Sequence, residues 1–222
     1  MSSNNKPMPL RVDLVSDVVC PWCVIGYLQL SQALAQRAGQ IELELHWHPF
    51  ELNPDMPAQG QDLREHMAQK YGASSEQSRS ARSRLEEIGD SLGFRFNYSE
   101  QTRMVNTFRA HQLLHWAGEK GCQTELQLSL FDAFFTQQQD VNDSGVLQAC
   151  AVAVGLIFDE AAEVLESERY AGEVRAQQRH WLEEGIHAVP CFVVNRQYMV
   201  QGAQDAAAFG RMLDKLLVRS VA

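Results

Sequence analysis

Cys20-Pro21-Trp22-Cys23 holds two of the five cysteines of a 222-residue chain. Two thiols at this spacing have three uses: as metal ligands, as a structural bridge, or as a pair that exchanges electrons. The surrounding elements bear on the choice. Residues 10–16 (Leu-Arg-Val-Asp-Leu-Val-Ser) alternate well enough for a strand that runs into the motif. Residues 24–39 then read as a helix, with an apolar stripe of Val24, Tyr27, Leu28, Leu34, Ala35 and Ala38 and a stop at Gly39. Pro21 suits the first helical position. That makes Cys20 the N-cap and puts Cys23 near the third helical position. A helix N-terminus carries unpaired N–H groups and roughly half a positive charge, so a thiolate at Cys20 is stabilised and nucleophilic. Cys23, one turn in, is within reach of a mixed disulfide on Cys20. This is the minimal apparatus for thiol–disulfide exchange.

The other two uses are weaker. A zinc site needs about four ligands, and the chain has no second Cys-x-x-Cys; Cys122, Cys150 and Cys191 are scattered singly. The histidine pairs His46/His48 and His111/His115 supply two ligands each, without a His-Glu-x-x-His arrangement. No metal site is expected. A structural bridge is not needed by a chain of this size, which has ample material for a core.

The composition is that of a globular protein, 45% hydrophobic and 21% charged, with a formal net charge of −9. Such a surface repels phosphate backbones and anionic lipid, which argues against nucleic-acid and membrane roles. The basic run Arg79–Arg84 is short and reads as a solvated helix face. No stretch approaches the roughly 20 apolar residues of a membrane span. The N-terminal segment lacks the apolar run of roughly 7–15 residues that a secretion signal needs. A cytoplasmic location is expected.

The elements that must hold the motif lie at both ends of the chain. Ile41, Leu43, Leu45 and Trp47 alternate as one face of a second strand. Strand patterns then disappear. Helical periodicity dominates in 75–92, 103–118, 121–138, 144–154 and 160–184, and residues 61–185 contain no proline. Two short strands return at 191–195 and 198–202, joined by a tight turn at Asn195-Arg196-Gln197. A last helix runs from Asp205 to Val218. Neither end is a complete sheet domain alone. The expected organisation is one discontinuous α/β domain, residues 9–60 and 186–222, with an all-helical domain, 61–185, inserted between its halves.

Ala188-Val189-Pro190-Cys191-Phe192 introduces the returning strands. Taken alone it reads as a strand start, since a proline there cannot donate to the ladder. Together with the pieces above it carries a family resemblance. The chain resembles the DsbA-like branch of the thioredoxin superfamily, in particular its FrnE-like cytoplasmic group. The matching residues are Asp17, Cys20-Pro21-Trp22-Cys23, Gly26, Ala110-His111, Val189-Pro190, Phe192 and Val200-Gln201-Gly202-Ala203-Gln204. The resemblance implies a thioredoxin fold with the helical insertion as a lid. It implies Cys20 as attacking thiol, Cys23 as resolving thiol, and Pro190 as a cis-proline facing the pair, supported by Pro21 and Trp22. Val189 would offer its backbone to an extended substrate, and Trp22 an exposed apolar contact.

Three functions follow as expectations. The first is a thiol–disulfide oxidoreductase acting on disulfide- or thiol-containing proteins or small molecules. The second is a glutathione-dependent isomerase or transferase, since the branch includes the 2-hydroxychromene-2-carboxylate isomerases and the kappa-class glutathione transferases; glutathione would then be a co-substrate, with no bound cofactor. The third is a client-binding module in which the thiols matter little. A monomer or a homodimer fits each. Cys191 departs from the family pattern, where threonine or serine is common. It reads as a buried strand residue, with a third redox partner as the alternative. Cys150 reads as core. Asp17 reads as a cap of the turn, or as a charge that opposes thiolate formation at Cys20.

Overall fold

In the computed structural model of the chain, residues 6–221 are described. The chain opens with β1 (Met8–Ser16), α1 (Pro21–Ala35) and β2 (Ile41–Pro49). There follow β3 (Gln61–Asp62), α2 (Leu63–Tyr71), α3 (Ser75–Ser91), β4 (Arg103–Met104), α4 (Phe108–Glu119) and α5 (Gln123–Phe131), which runs into a wider π-helical turn, Asp132–Thr136. Then come α6 (Ser144–Ala153), α7 (Phe158–Ser167), α8 (Ala171–Glu183), β5 (Cys191–Val194), β6 (Tyr198–Gln201) and α9 (Ala206–Val221).

The two ends of the chain meet in one mixed sheet of order β2-β1-β5-β6. β1 is central, parallel to β2 and antiparallel to β5. A strand buried on both sides should be almost uniformly apolar, and Val12, Leu14 and Val15 are fully buried. The expected face of β2 is confirmed by its register: Ile41, Leu43, Leu45 and Trp47 pair with Met8, Leu10, Val12 and Leu14. Leu43 stays 37% exposed, because β2 is an edge strand. The β5–β6 hairpin turns through Asn195 (φ 50°) and Arg196 (φ 55°), closed by Gln197 N–H to Val194 O at 3.0 Å. Two consecutive left-handed residues make the mirror-image turn that matches the strand twist.

α1 and α9 pack on one face of the sheet. The guanidinium of Arg37, just past α1, grips Asp214 of α9 through Nε and Nη2 at 2.7 and 2.8 Å. Gly26 explains how closely α1 approaches β5. A Cβ there would stand 3.0 Å from Phe192 Cζ and 3.3 Å from Pro190 Cγ. The other face carries Val15 and Cys191, packed with Trp181 and Ile186.

The chain differs from the expected elements at five points. α2 was not expected, because its apolar stripe is thin; its signal lies in its ends, the Asp62 cap on the Arg64 and Glu65 amides and Gly72 at φ 64°. The strand pair β3–β4 joins segments some forty residues apart, which no local pattern reports. The helix expected from 103 begins at Phe108, since 103–104 are used in that pair. The helix expected over 160–184 breaks after Ser167. Glu168 turns left-handed (φ 49°), and Tyr170 is buried against His115. α1 ends at Ala35, and Gly39 lies in the turn beyond it.

One carboxylate sits inside the central strand. Asp13 is 2% exposed and receives Arg11 Nη2 at 2.6 Å and His48 Nε2 at 2.8 Å. Burial alone would raise its pKa; the hydrogen bonds from His48 and Arg11 outweigh it and hold the carboxyl far below the ordinary 3.8. The sign for stability follows. The contribution is complete well above the unfolded-state value and is lost as pH falls below it toward the folded value. Asp13→Asn is therefore expected to unfold more easily than the parent at pH 7. Their unfolding free energies, measured in urea, should draw together progressively as pH falls below about 4. A gap that does not depend on pH would mean that the ionised carboxylate is not the source.

Candidate active site

The turn that ends β1 positions the two thiols. Cys20 N–H donates to Asp17 O at 3.1 Å and Cys23 N–H to Cys20 O at 3.0 Å. Cys20 is the N-cap of α1 with extended backbone (φ −93°, ψ 109°), and Pro21 takes the first helical position. The side chain of Cys20 therefore stands at the helix end, as its spacing predicts. Its Sγ lies 3.7 Å from Val189 O. The Val189–Pro190 peptide is cis, and the ring of Pro190 lies beside Gly26 of α1. Residues 169 positions apart thus meet across one sulfur.

Cys23 is fully buried. Burial pushes its thiol pKa well up, and the hydrogen bond and charge of Cys20 push it further; the Ser16 hydroxyl and the Asp17 backbone N–H act in the opposite direction. At neutral pH Cys23 is held as a thiol. Ser16 is 1% exposed, and its Oγ has no other hydrogen-bond partner among the described residues. Nothing in the strand pattern singled out Ser16. Its one link to the site is its influence on the Cys23 thiol.

The Asp17 side chain neither caps the Cys20 turn nor faces solvent. It is completely buried, and its Oδ2 accepts the Leu52 N–H at 2.7 Å. His111 Nε2 donates to Phe50 O at 2.9 Å and lies 3.3 Å from Asp17 Oδ1. Lys70 Nζ holds Leu52 O at 2.6 Å, and Arg175 pairs with the buried Glu51. Residues 50–53 are thereby pinned from three helices and the turn that follows β1. This segment forms one wall of a cavity of about 860 Å³. Cys20, Pro21, Trp22 and Val189 form its floor, with Trp22 40% exposed. α2, α3, Tyr98 and the π-helical turn close the far side.

The remaining predicted residues lie elsewhere. His46 bonds Glu44 at 2.6 Å, and His48 is used by Asp13. His115 turns to Gln177 at 2.9 Å, away from the Asp17 side of His111. Among the described residues no three His, Cys, Asp or Glu side chains are grouped to hold a metal ion. Cys191 is fully buried on the sheet face opposite α1, and burial raises its thiol to about 11. That face separates it from the pair, which removes the third-partner reading. Cys150 is core, and half-buried Cys122 caps α5. The run 79–84 is solvated as expected, with only Arg82 part-buried; Arg82 and Arg84 in addition line the rim of the cavity. No described helix is long and apolar enough to cross a membrane.

The profile of the DSBA-like thioredoxin domain matches residues 11–214. The chain belongs to this family. The fold is accordingly that of a DsbA-like thioredoxin protein. Among curated proteins, the uncharacterized protein YwbO of Bacillus subtilis (strain 168) is 26% identical over 207 residues, 93% of this chain and 96% of that one. Among solved structures, a probable DsbA oxidoreductase of Streptomyces coelicolor is 33% identical with a TM-score of 0.87, over 93% of this chain and 89% of its own. Two more distant ones share the fold. A 2-hydroxychromene-2-carboxylate isomerase (14% identical, TM-score 0.68) aligns over 95% of this chain and 98% of its own. The cytosolic disulfide reductase DsbM of Pseudomonas aeruginosa, solved with GSH (17% identical, TM-score 0.63), aligns over 93% and 98%.

Proposed function

We propose that this DsbA-like protein is a thiol–disulfide oxidoreductase whose working pair is Cys20 and Cys23. The observation that carries it is the inequality of the two sulfurs. Cys20, at a helix N-terminus and only 3% exposed, lines the cavity, while Cys23 does not reach it and is fully buried as a thiol. In the reducing direction the Cys20 thiolate attacks one sulfur of a substrate disulfide. The Cys20–substrate disulfide forms and one substrate thiolate leaves. Cys23 then loses its proton, and its thiolate attacks Cys20 Sγ. The Ser16 hydroxyl and the Asp17 N–H stabilise the transient negative charge. The Cys20–Cys23 disulfide forms, the second substrate thiolate leaves, and two electrons have moved to the substrate. The reverse sequence oxidises a dithiol. Val189 offers its backbone at the floor of the cavity for an extended substrate, with Pro190, Pro21 and Trp22 shaping the approach.

We assign the catalytic unit to residues 9–60 and 186–222, and the cavity roof to the helical insertion 61–185. A cytoplasmic site of action is supported by the cytosolic relative DsbM. That relative's bound GSH also supports glutathione as a substrate or co-substrate here. The second reading is glutathione-dependent isomerisation or transfer at Cys20 alone, supported by the isomerase that shares the fold.

Equilibration with reduced and oxidised glutathione followed by acid quench and mass spectrometry tests the proposal. The expected product is protein lighter by two hydrogens, titrating with the glutathione ratio and carrying a Cys20–Cys23 bond. Protein that accumulates only a single glutathione adduct would favour the second reading, and unmodified protein at every ratio would sink both.

A further inference from the structure

The wall of the cavity opposite Cys20 has a charge that its chain does not. The protein carries a net −9, so its general field repels anions. Yet two guanidinium groups of α3, Arg82 and Arg84, line the cavity. Arg11, Arg37, Arg64, Arg169, Arg175 and Lys120 face carboxylates, and Lys70, Arg103 and Arg109 bond oxygens of neighbouring segments; surface cations such as Arg79 and Arg211 do neither, and what sets Arg82 and Arg84 apart from those is their place on the cavity that holds Cys20. Among the described residues no carboxylate stands within ion-pair distance of Arg82 or Arg84. Glu76 is the one acidic residue that lines the same cavity. An arginine on a cavity wall with no acidic partner is a ready-made site for a carboxylate, which it can hold through two parallel hydrogen bonds.

Tyr98 ties this wall to the sulfur. It lines the same cavity and is stacked on Phe96, and the charges of Cys20, Glu86 and Arg82, in that order, act on its phenol. Burial drives the phenol's pKa up, ahead of the influence of Cys20. It stays protonated and offers an O–H within the cavity. A compound whose sulfur sits at Cys20 thus meets a phenol donor and then positive charge across a pocket of small-molecule size.

We propose that Arg82 and Arg84 form a carboxylate-binding subsite that makes the cavity selective for anionic, low-molecular-mass thiol and disulfide compounds. The inference rests on the exchange reading of Cys20 and names its substrate class. The exchange step itself is unchanged: Cys20 displaces one anionic thiolate and Cys23 the other.

Two alkylating agents of the same chemistry and different charge separate charge recognition from reactivity. Cys20 of the reduced protein is alkylated with iodoacetate and with iodoacetamide. Each displaces iodide and leaves an S-alkyl product, and the site is verified by peptide mapping. The ratio of the two rates is compared in the parent, in Arg82→Gln/Arg84→Gln, and in Arg79→Gln. Arg79 lies on the same helix but does not line the cavity. The double variant is expected to lower the iodoacetate-to-iodoacetamide ratio about fivefold to tenfold at low ionic strength, less in high salt, with the iodoacetamide rate unchanged. Arg79→Gln should leave the ratio at the parent value. Oxidised glutathione and cystamine, anionic and cationic disulfides, should show the same loss of preference in exchange. An equal drop with Arg79→Gln would reduce the effect to net charge, and an unchanged ratio in the double variant would overturn the subsite. Failure of iodoacetamide to label Cys20 in the parent would count against the exchange reading instead.

Discussion

Cys23→Ser is expected to turn the protein into a trap. Its Cys20 should still attack a disulfide, but the mixed species has no internal thiol to release it. Incubation with oxidised glutathione should then leave one glutathionyl group on Cys20, stable over the time in which the parent completes its cycle. Cys20→Ser should form no adduct, and its exchange rate should drop by about 10³-fold or more, because the buried Cys23 has no access to substrate. The asymmetry between the two variants is the informative part. It follows from Cys20 lining the cavity, though only 3% exposed, while Cys23 lies fully buried away from it. Intact-mass measurement under acid quench reads both. Equal adduct formation on the two variants would mean that the sulfurs are interchangeable and that the proposed order of attack is wrong. Isomerase or transferase activity that survives in Cys23→Ser would move the assignment to glutathione chemistry at Cys20.

Asp17→Ala should cost stability and access together. The carboxylate is fully buried and takes the Leu52 N–H at 2.7 Å, with His111 Nε2 at 3.3 Å. Removing it leaves the part-buried Leu52 amide without its acceptor and the buried His111 imidazole without its carboxylate neighbour. A loss of about 2–4 kcal/mol in unfolding free energy is expected. The segment 50–53 should loosen, and with it one wall of the cavity. Urea unfolding measures the first effect, and hydrogen exchange of the 50–53 amides the second. Asp17→Asn keeps an acceptor for Leu52 and should lose less. If Asp17→Ala proved as stable as the parent, the carboxylate would not be what pins the segment to the thiol turn.

How much of this was legible in the sequence depends on the distance over which each feature is encoded. The helix start at Cys20 was readable because a proline at the first position and a periodic stripe behind it are local facts. The alternation in β2 was readable for the same reason, and the observed register preserves it residue by residue. α2 was not, since its stability comes from capping and packing more than from its own thin stripe. The break at Glu168 was hidden inside a continuous helical pattern, because burial of Tyr170 outweighs local propensity there. Arg82 and Arg84 read as part of a solvated face, which their exposure bears out; that they also line the cavity is recorded by nothing in α3 itself. Asp17 stood out by its spacing from Cys20, yet its partner Leu52 lies 35 residues away.

The sequence by itself determined that two thiols of unequal position share one helix N-terminus, since residue type, spacing and helix periodicity are written in consecutive residues. Only the tertiary structure decided what surrounds them. It brought Val189 to the outer sulfur and put the inner one under the influence of Ser16. It sent Cys191 to the far face of the sheet and set Arg82 and Arg84 of α3 on the cavity that holds the outer sulfur. These contacts join segments far apart in the chain. Such pairings are chosen when the chain closes loops and buries its sheet, and no local pattern carries them.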